Sequence, residues 1–142
     1  MRYFEVKAKF DKMQENGVIK AVTETYAIAA QTFTDAEHKA LEVLSPVTQG
    51  ELEIVGEKIA PYDNYIYSDT PKSDDKFYLV KYAIITVDEF TAKEKKEYHH
   101  VLVEALDVES ATDVFNRMPG DATCRELVGI RESAVIECFS EL

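Results

Sequence analysis

Apolar and polar residues alternate over the first ten positions of the chain. In an extended strand the apolar positions share one face: Phe4, Val6, Ala8 and Phe10. The other face carries Tyr3, Glu5, Lys7 and Lys9. Asn16-Gly17 follows, and because both residues tolerate positive φ, this pair predicts a hairpin. A second strand is then expected over residues 20–30.

The next residues have helical spacing. The stripe expected to face the sheet consists of Ala36, Ala40, Leu41 and Leu44. Thr34 is the predicted N-cap, and Pro46 and Gly50 should end the helix. The segment "ELEIVGEKIA" (51–60) alternates again and predicts a third strand. The first half of the chain is therefore predicted to be a ββαβ unit.

The second half resembles the first. "RYFEVKAKF" near the start matches "KFYLVKYAI" from residue 76, and "EIVGEK" (53–58) matches "ELVGIR" (126–131). These matches occur in the same order, which favours a duplicated unit. The alternative is that two amphipathic ββα segments resemble each other through alternation alone. The predicted fold is α+β, with tandem duplicated ββαβ units forming a pseudo-dimer with mainly antiparallel sheet.

Turn-forming residues indicate where the two units meet. "PYDNYIYSDTPKSDDK" (61–76) is rich in Pro, Asp, Asn and Ser, as linkers are. Its first half is aromatic, which favours a short strand or a docked segment. The predicted boundaries are 1–68 for the first ββαβ unit, 69–75 for the linker and 76–142 for the second ββαβ unit.

Composition limits the classes of function. The net charge of -11 opposes long-range attraction to nucleic acid, although a local basic strip can act within a Debye length of about 8–10 Å. The chain has two cysteines, which we expect to be reduced. It has no apolar run near the roughly 20 residues that cross a bilayer, and the first residues lack the apolar core of a signal peptide. We therefore expect a cytoplasmic protein without a membrane partner.

Catalytic and metal-binding motifs are missing from the sequence. The five glycines are scattered, so they form no phosphate-binding loop, and no nucleophile lies at a recognisable spacing from a base. His99 and His100 are strand neighbours that point to opposite faces, so they cannot readily bind one metal. We predict a non-enzymatic protein with no cofactor and no metal.

One candidate function is the binding of single-stranded DNA through the sheet faces. Proteins of this kind combine stacking aromatic residues with basic residues on one face. The candidate residues are Tyr3, Lys7, Lys9, Phe77, Lys81, Lys95 and Lys96. The alternative is that Tyr3 and Phe77 are buried between the units while the lysines reach solvent.

The other candidate is an acidic protein-interaction module that inhibits or adapts a host or replication protein. Tyr62, Tyr65 and Tyr67 are aromatic anchors of the kind enriched at interfaces. The alternative for them is docking onto the first unit. Exposed edge strands could also pair with a second copy, giving a homo-oligomer.

Four segments together resemble a domain-of-unknown-function family from gut anaerobes and their phages. They are "YFEVKAKFDK", "ENGVIKAVTETY", "FTDAE" and "KFYLVKYAIITVDE". The resemblance covers the first unit more closely than the second. It implies no established activity and no catalytic residues. The phage setting implies an accessory role in replication or in countering host defence, which suits both candidate functions.

Overall fold

The computed structural model describes residues 2–48, 50–67, 75–120 and 122–140. The strands are β1 (Arg2–Met13), β2 (Ile19–Ala30), β3 (Glu53–Ile59), β4 (Asn64–Ile66), β5 (Lys76–Val87), β6 (Glu94–Ala105), β7 (Arg125–Glu132) and β8 (Val135–Phe139). The helices are α1 (Phe33–Leu44) and α2 (Val108–Asn116), and single 3-10 turns cover Ser45–Val47 and Ala122–Cys124. No helix in these ranges is long and apolar enough to span a bilayer.

The strands form two four-stranded sheets. The first sheet has the order β3-β1-β2-β8, and the second has the order β7-β5-β6-β4. Three strands of each sheet are antiparallel, whereas β8 runs parallel to β2 and β4 runs parallel to β6. The fold is therefore α+β with two mixed sheets, which agrees with the predicted class.

The chain divides into two compact units whose limits differ from the predicted ones. The first unit is Met1–Pro61 with Ala134–Leu142, and the second is Tyr62–Ser133. The limits differ because β4 follows β3 along the chain but pairs in the second sheet, while β8 follows β7 but pairs in the first. Two outer strands are thus exchanged between the sheets.

Because of this exchange, the chain passes from one unit to the other at residues different from the predicted ones. The chain leaves the first sheet after Ala60, whose N–H donates to the Tyr3 carbonyl at 3.0 Å, and it enters the second unit at Tyr62. It returns after Ser133, whose N–H donates to the Phe77 carbonyl at 2.7 Å. The predicted linker 69–75 therefore connects β4 and β5, two strands of one sheet; its residues 69–74 lie outside the described residues.

The first hairpin has the predicted turn. Gly17 adopts a φ of +83°, and its N–H donates to the Gln14 carbonyl at 2.9 Å. The Asn16 side-chain oxygen accepts a hydrogen bond from the Val18 N–H at 3.0 Å. Asn16-Gly17 therefore closes the turn between β1 and β2.

Both helices begin at a side-chain cap. Thr32, rather than the predicted Thr34, accepts a hydrogen bond from the Asp35 N–H at 3.1 Å. Asp107 accepts one from the Ser110 N–H at 2.8 Å in the second unit. These bonds satisfy N–H groups that a helix leaves without a backbone partner at its first turn.

Each helix covers one face of its own sheet. The buried cluster of the first unit contains Phe4, Val6, Ala8, Phe10, Tyr26, Ile28, Ala30, Ala36, Ala40 and Leu44. That of the second contains Tyr78, Val80, Tyr82, Val101, Val103, Ala105, Ala111 and Phe115. The predicted apolar face of β1 is therefore the face that α1 covers. On β5 the face of Tyr78, Val80 and Tyr82 lies beneath α2.

A β-bulge occurs at the same place in both sheets. Lys7 pairs with Gly56, but the next residue, Ala8, pairs with Ile54, so Val55 has no partner in the ladder. Lys81 likewise pairs with Gly129, and its neighbour pairs with Leu127. The repeated Val-Gly pair thus marks a bulge, which bends an edge strand and hinders pairing with another chain.

Candidate nucleic-acid interface

The predicted residues of the first unit lie on the sheet face away from α1. Lys7 and Lys9 are exposed on β1, whereas Tyr3 is half-buried. Burial, and then the nearby Cys138, raise the pKa of the Tyr3 hydroxyl. A shallow groove of about 360 Å³ runs beside Lys7 and Glu5. This face therefore presents lysines without an exposed stacking ring on β1.

Phe77 does not lie where the stacking hypothesis required it. Only 6% of its surface is exposed, and its ring stacks on Tyr65 with centroids 6.0 Å apart. Tyr65 lies on β4, which pairs with β6. Alternation along the sequence does not predict which strands pair. Phe77 is therefore a packing residue of the second unit.

An exposed aromatic ring of the second unit is Tyr98, which was not predicted from the sequence. Tyr98 is 54% exposed and lies on β6 opposite Ala83. The Nζ atom of Lys81 lies 4.9 Å from the centre of the Tyr98 ring. A cation at this distance from a ring face is attracted to it, and the pair presents a charge and an aromatic surface together. The available signal was the strand period, which puts Tyr98 and His100 on one face.

Further basic residues surround this pair. His100 pairs with Lys81 across β5 and β6, and Arg131 is exposed on β7. The described ion pairs include neither Lys81 nor Arg131. We call Lys81, Tyr98, His100 and Arg131 the second-unit patch.

The electrostatics of the patch are positive although the chain is acidic. Burial, followed by the charges of Lys81, Arg131 and His99, lowers the pKa of His100. Two carboxylates on the same face are already bound. Glu126 pairs with Lys96 at 3.0 Å, and Glu104 accepts a hydrogen bond from the Tyr65 hydroxyl. The patch is therefore suited to an anion.

The two predicted lysines of the second hairpin are not on one face. Lys96 pairs with Ile85 and Lys95 with Thr86, so their side chains alternate across the sheet. Lys96 shares the face of the patch, and its bond to Glu126 raises its pKa. Lys95 is exposed on the opposite face and lies outside the patch.

The three tyrosines of the protein-binding hypothesis differ in exposure. Tyr62 is 2% exposed and Tyr65 is half-buried, whereas Tyr67 is 65% exposed with its ring 5.7 Å from that of Tyr65. All three belong to the second unit, not to the first unit on which docking was considered. Tyr67 alone of the three has most of its surface available to a partner.

An aromatic residue outside both predictions is the most exposed of the large apolar side chains described. Phe90 is 97% exposed at the turn between β5 and β6. The Asp88 carboxylate accepts hydrogen bonds from the N–H groups of Phe90 at 2.7 Å and Thr91 at 3.1 Å. The side chain of Asp88 thus fixes the backbone of the turn.

The histidine pair has the predicted geometry. His99 stacks on Tyr82 with ring centres 5.7 Å apart, beneath the helix, while His100 lies on the other face. No group of three or more His, Cys, Asp or Glu side chains within the described ranges could hold a metal ion. Cys124 and Cys138 are not joined by a disulfide bond.

The fold defines an α+β protein of two mixed four-stranded sheets, each with one helix, and the second sheet has an aromatic and basic patch. The family profile described as "Domain of unknown function (DUF4494)" matches residues 2–141, and the chain belongs to this family. No curated protein matches the sequence significantly.

Proposed function

We propose that this chain is a small non-enzymatic protein that binds single-stranded DNA on the second-unit patch. The observation that supports this most directly is the exposed Lys81–Tyr98 pair, 4.9 Å from ammonium to ring centre, beside Arg131. A base can stack on an aromatic ring while cations bind the adjacent phosphates. The phage or mobile-element role implied by the sequence resemblance is part of this proposal.

The net charge of -11 sets the expected affinity. Long-range repulsion between the acidic protein and the strand slows association, but salt screens it beyond about 8–10 Å. The contacts within the patch act at shorter range. Salt reduces the long-range repulsion that opposes them. We therefore expect weak binding. Its affinity should decrease with salt concentration with the slope expected for two or three phosphate contacts.

Fluorescence anisotropy with a labelled oligothymidylate, at low and moderate salt, tests the proposal. Tyr98→Ala should weaken binding about 5- to 150-fold, because stacking contributes about 1–3 kcal/mol per base. Tyr67→Ala is the matched control, since it removes another exposed tyrosine of the same unit. Absence of binding by the native protein, or equal losses in both variants, would contradict the proposal.

A second candidate is an acidic protein-interaction module anchored by Phe90. A fully exposed aromatic side chain on an ordered turn resembles the anchors that contribute most to interfaces, because little conformational entropy is lost on binding. A pull-down after nuclease treatment should retain a partner that Phe90→Ser loses and Tyr98→Ala keeps. Loss of every partner on nuclease treatment would favour DNA.

We also infer that the chain is a tandem duplication whose halves form a pseudo-dimer. The order of strands and helix is the same in the two halves, the bulge recurs opposite Lys7 and Lys81, and each half gives its last strand to the other sheet. A duplicated unit that first existed as a strand-exchanged homodimer accounts for these three features together.

A chimera of the full chain tests the duplication. Replacing residues 53–58 by the sequence of 126–131 changes Ile54 to Leu, Glu57 to Ile and Lys58 to Arg. Burial, and then the nearby Glu37, raise the pKa of Glu57, so its ionised form is disfavoured in the fold and Ile should be tolerated. Urea unfolding should show unchanged cooperativity. Loss of the folded state would contradict equivalence of the two strands.

A further inference from the structure

We propose that Lys81, His100 and Arg131 form a phosphate subsite in which His100 becomes protonated when a phosphodiester binds. The affinity for single-stranded DNA should then rise as the pH falls. This inference rests on the proposed function. It specifies that a phosphate of the DNA binds at the same site and that protonation of His100 makes the binding depend on pH.

The three side chains come from three adjacent strands. Lys81 on β5 lies opposite His100 on β6, while Gly129 on β7 pairs with Lys81 from the other side. Arg131 lies two residues further along β7, where it pairs with Leu79. Because alternate residues of a strand share a face, all three side chains project from the same side of the sheet.

Besides burial, the groups that lower the pKa of His100 are all basic residues. Lys81 acts on it from β5, Arg131 from β7 and His99 from its own strand. Three carboxylates on β6 and β7 share that face. Glu126 is bound to Lys96 at 3.0 Å, and Glu104 is bound by the Tyr65 hydroxyl of β4. Glu94 lies at the start of β6, six residues from His100. None of the three is among the groups that shift the pKa of His100.

A bound phosphate would reverse this balance. Burial and the neighbouring cations lower the pKa of His100 in the free protein, so the ring is neutral at pH 7. An anion between Lys81 and Arg131 offsets their repulsion and favours the charged ring. Since the pKa is then higher in the complex than in the free protein, the complex takes up a proton and gains stability as the pH falls.

Anisotropy with oligothymidylate between about pH 8 and about pH 5.5 measures this linkage. The native protein should bind several-fold more tightly at the acidic end, with a limit of about tenfold per pH unit for one proton. His100→Gln should flatten the profile. His38→Gln is the matched control, because His38 is exposed on α1 of the first unit and should leave the profile unchanged.

NMR titration of the native protein gives a second readout that needs no variant. The pKa of the His100 ring should rise on addition of oligothymidylate. A rise with inorganic phosphate and none with the oligonucleotide would overturn the assignment to a phosphodiester. Binding that requires Tyr98 but does not depend on pH would overturn this inference alone. Absence of oligonucleotide binding at every pH would overturn it together with the proposed function.

Discussion

The sheet faces away from the helices differ between the two units although the backbone pairing is the same. Lys7 pairs with Thr25 where Lys81 pairs with His100, and both lysines lie opposite a glycine at a bulge. The next rung has Thr23 in the first unit and Tyr98 in the second. The same scaffold therefore presents a stacking ring in one unit and a small hydroxyl in the other.

The charges on these faces differ as well. In the first unit Glu5 pairs with Lys58 across β1 and β3, and the two side chains form an ion pair at 3.7 Å. In the second unit the corresponding pair is the buried Leu79 and Arg131, so the arginine has no cross-strand carboxylate. A shared strand topology does not imply a shared site, because binding depends on side chains that the topology leaves free to vary.

The largest expected effect concerns the two cores. The second core contains Phe115, whose ring centre lies 5.3 Å from that of Tyr82. Phe115→Ala should lower the free energy of unfolding by about 3–5 kcal/mol, because a buried ring is lost and a cavity remains. Urea unfolding measures this change.

The control for this comparison lies in the first unit. Phe33 is 44% exposed and contacts Phe4 edge to face at 5.0 Å. Phe33→Ala should therefore cost less than Phe115→Ala, with about 0.5–1.5 kcal/mol of the loss coming from the ring pair. Equal losses of unfolding free energy in the two variants would contradict the expectation that Phe115 contributes more to stability than Phe33 does.

The next effect is a gain of function in the first unit. Combining Thr23→Tyr with Glu5→Gln places a ring two residues from Thr25 and releases Lys58 from its carboxylate. We expect a second oligonucleotide site, with a stacking contribution of about 1 kcal/mol or more. Titration calorimetry should show the stoichiometry rising. An unchanged stoichiometry would mean that the patch depends on features absent from the first sheet.

A smaller effect separates the two bulge lysines. Lys81→Ala should weaken oligonucleotide binding and reduce the salt slope by about 1, because one phosphate contact is lost. Lys7→Ala, at the same place in the first sheet, should change neither quantity. Anisotropy over a series of salt concentrations measures both slopes. A larger loss on Lys7→Ala would move the site to the first unit.

The smallest effect compares the two hairpin turns in acid. Hydrogen bonds from the N–H groups of Phe90 and Thr91 lower the pKa of Asp88, so its contribution to stability is present above the ordinary aspartate pKa of about 3.9. The contribution is lost as the pH falls through the lowered value. The protection of the Phe90 amide, measured against the intrinsic exchange rate at each pH, should therefore decrease in acid.

The first hairpin supplies the control for this titration. Its turn uses the uncharged side chain of Asn16, which does not titrate. Protection of the Val18 amide should be independent of pH over the same range, and Asp88→Asn should make the second turn behave similarly. Parallel changes at both turns would indicate global unfolding rather than titration of Asp88.

Local sequence signals were sufficient for most elements and insufficient for the site. Alternation placed Val6 on the apolar face of the first strand, which is buried, and Asn16-Gly17 located the first turn. The patch was only partly predicted, since Lys81 was named but Tyr98 was not. Phe77 has the same aromatic character as Tyr98, and only the pairing of β4 beside β6 buries one and leaves the other exposed.

The sequence by itself determined the order of strands and helix in each unit, the apolar face of β1 and the tight turn at Gly17, because these depend on side-chain period and local backbone preference. The tertiary structure alone decided that β4 and β8 exchange sheets and that Lys81, Tyr98, His100 and Arg131 meet on one face. Strand pairing joins residues that are far apart in the chain. The backbone groups that form the hydrogen bonds are the same in every strand, so they do not specify which strand is the partner.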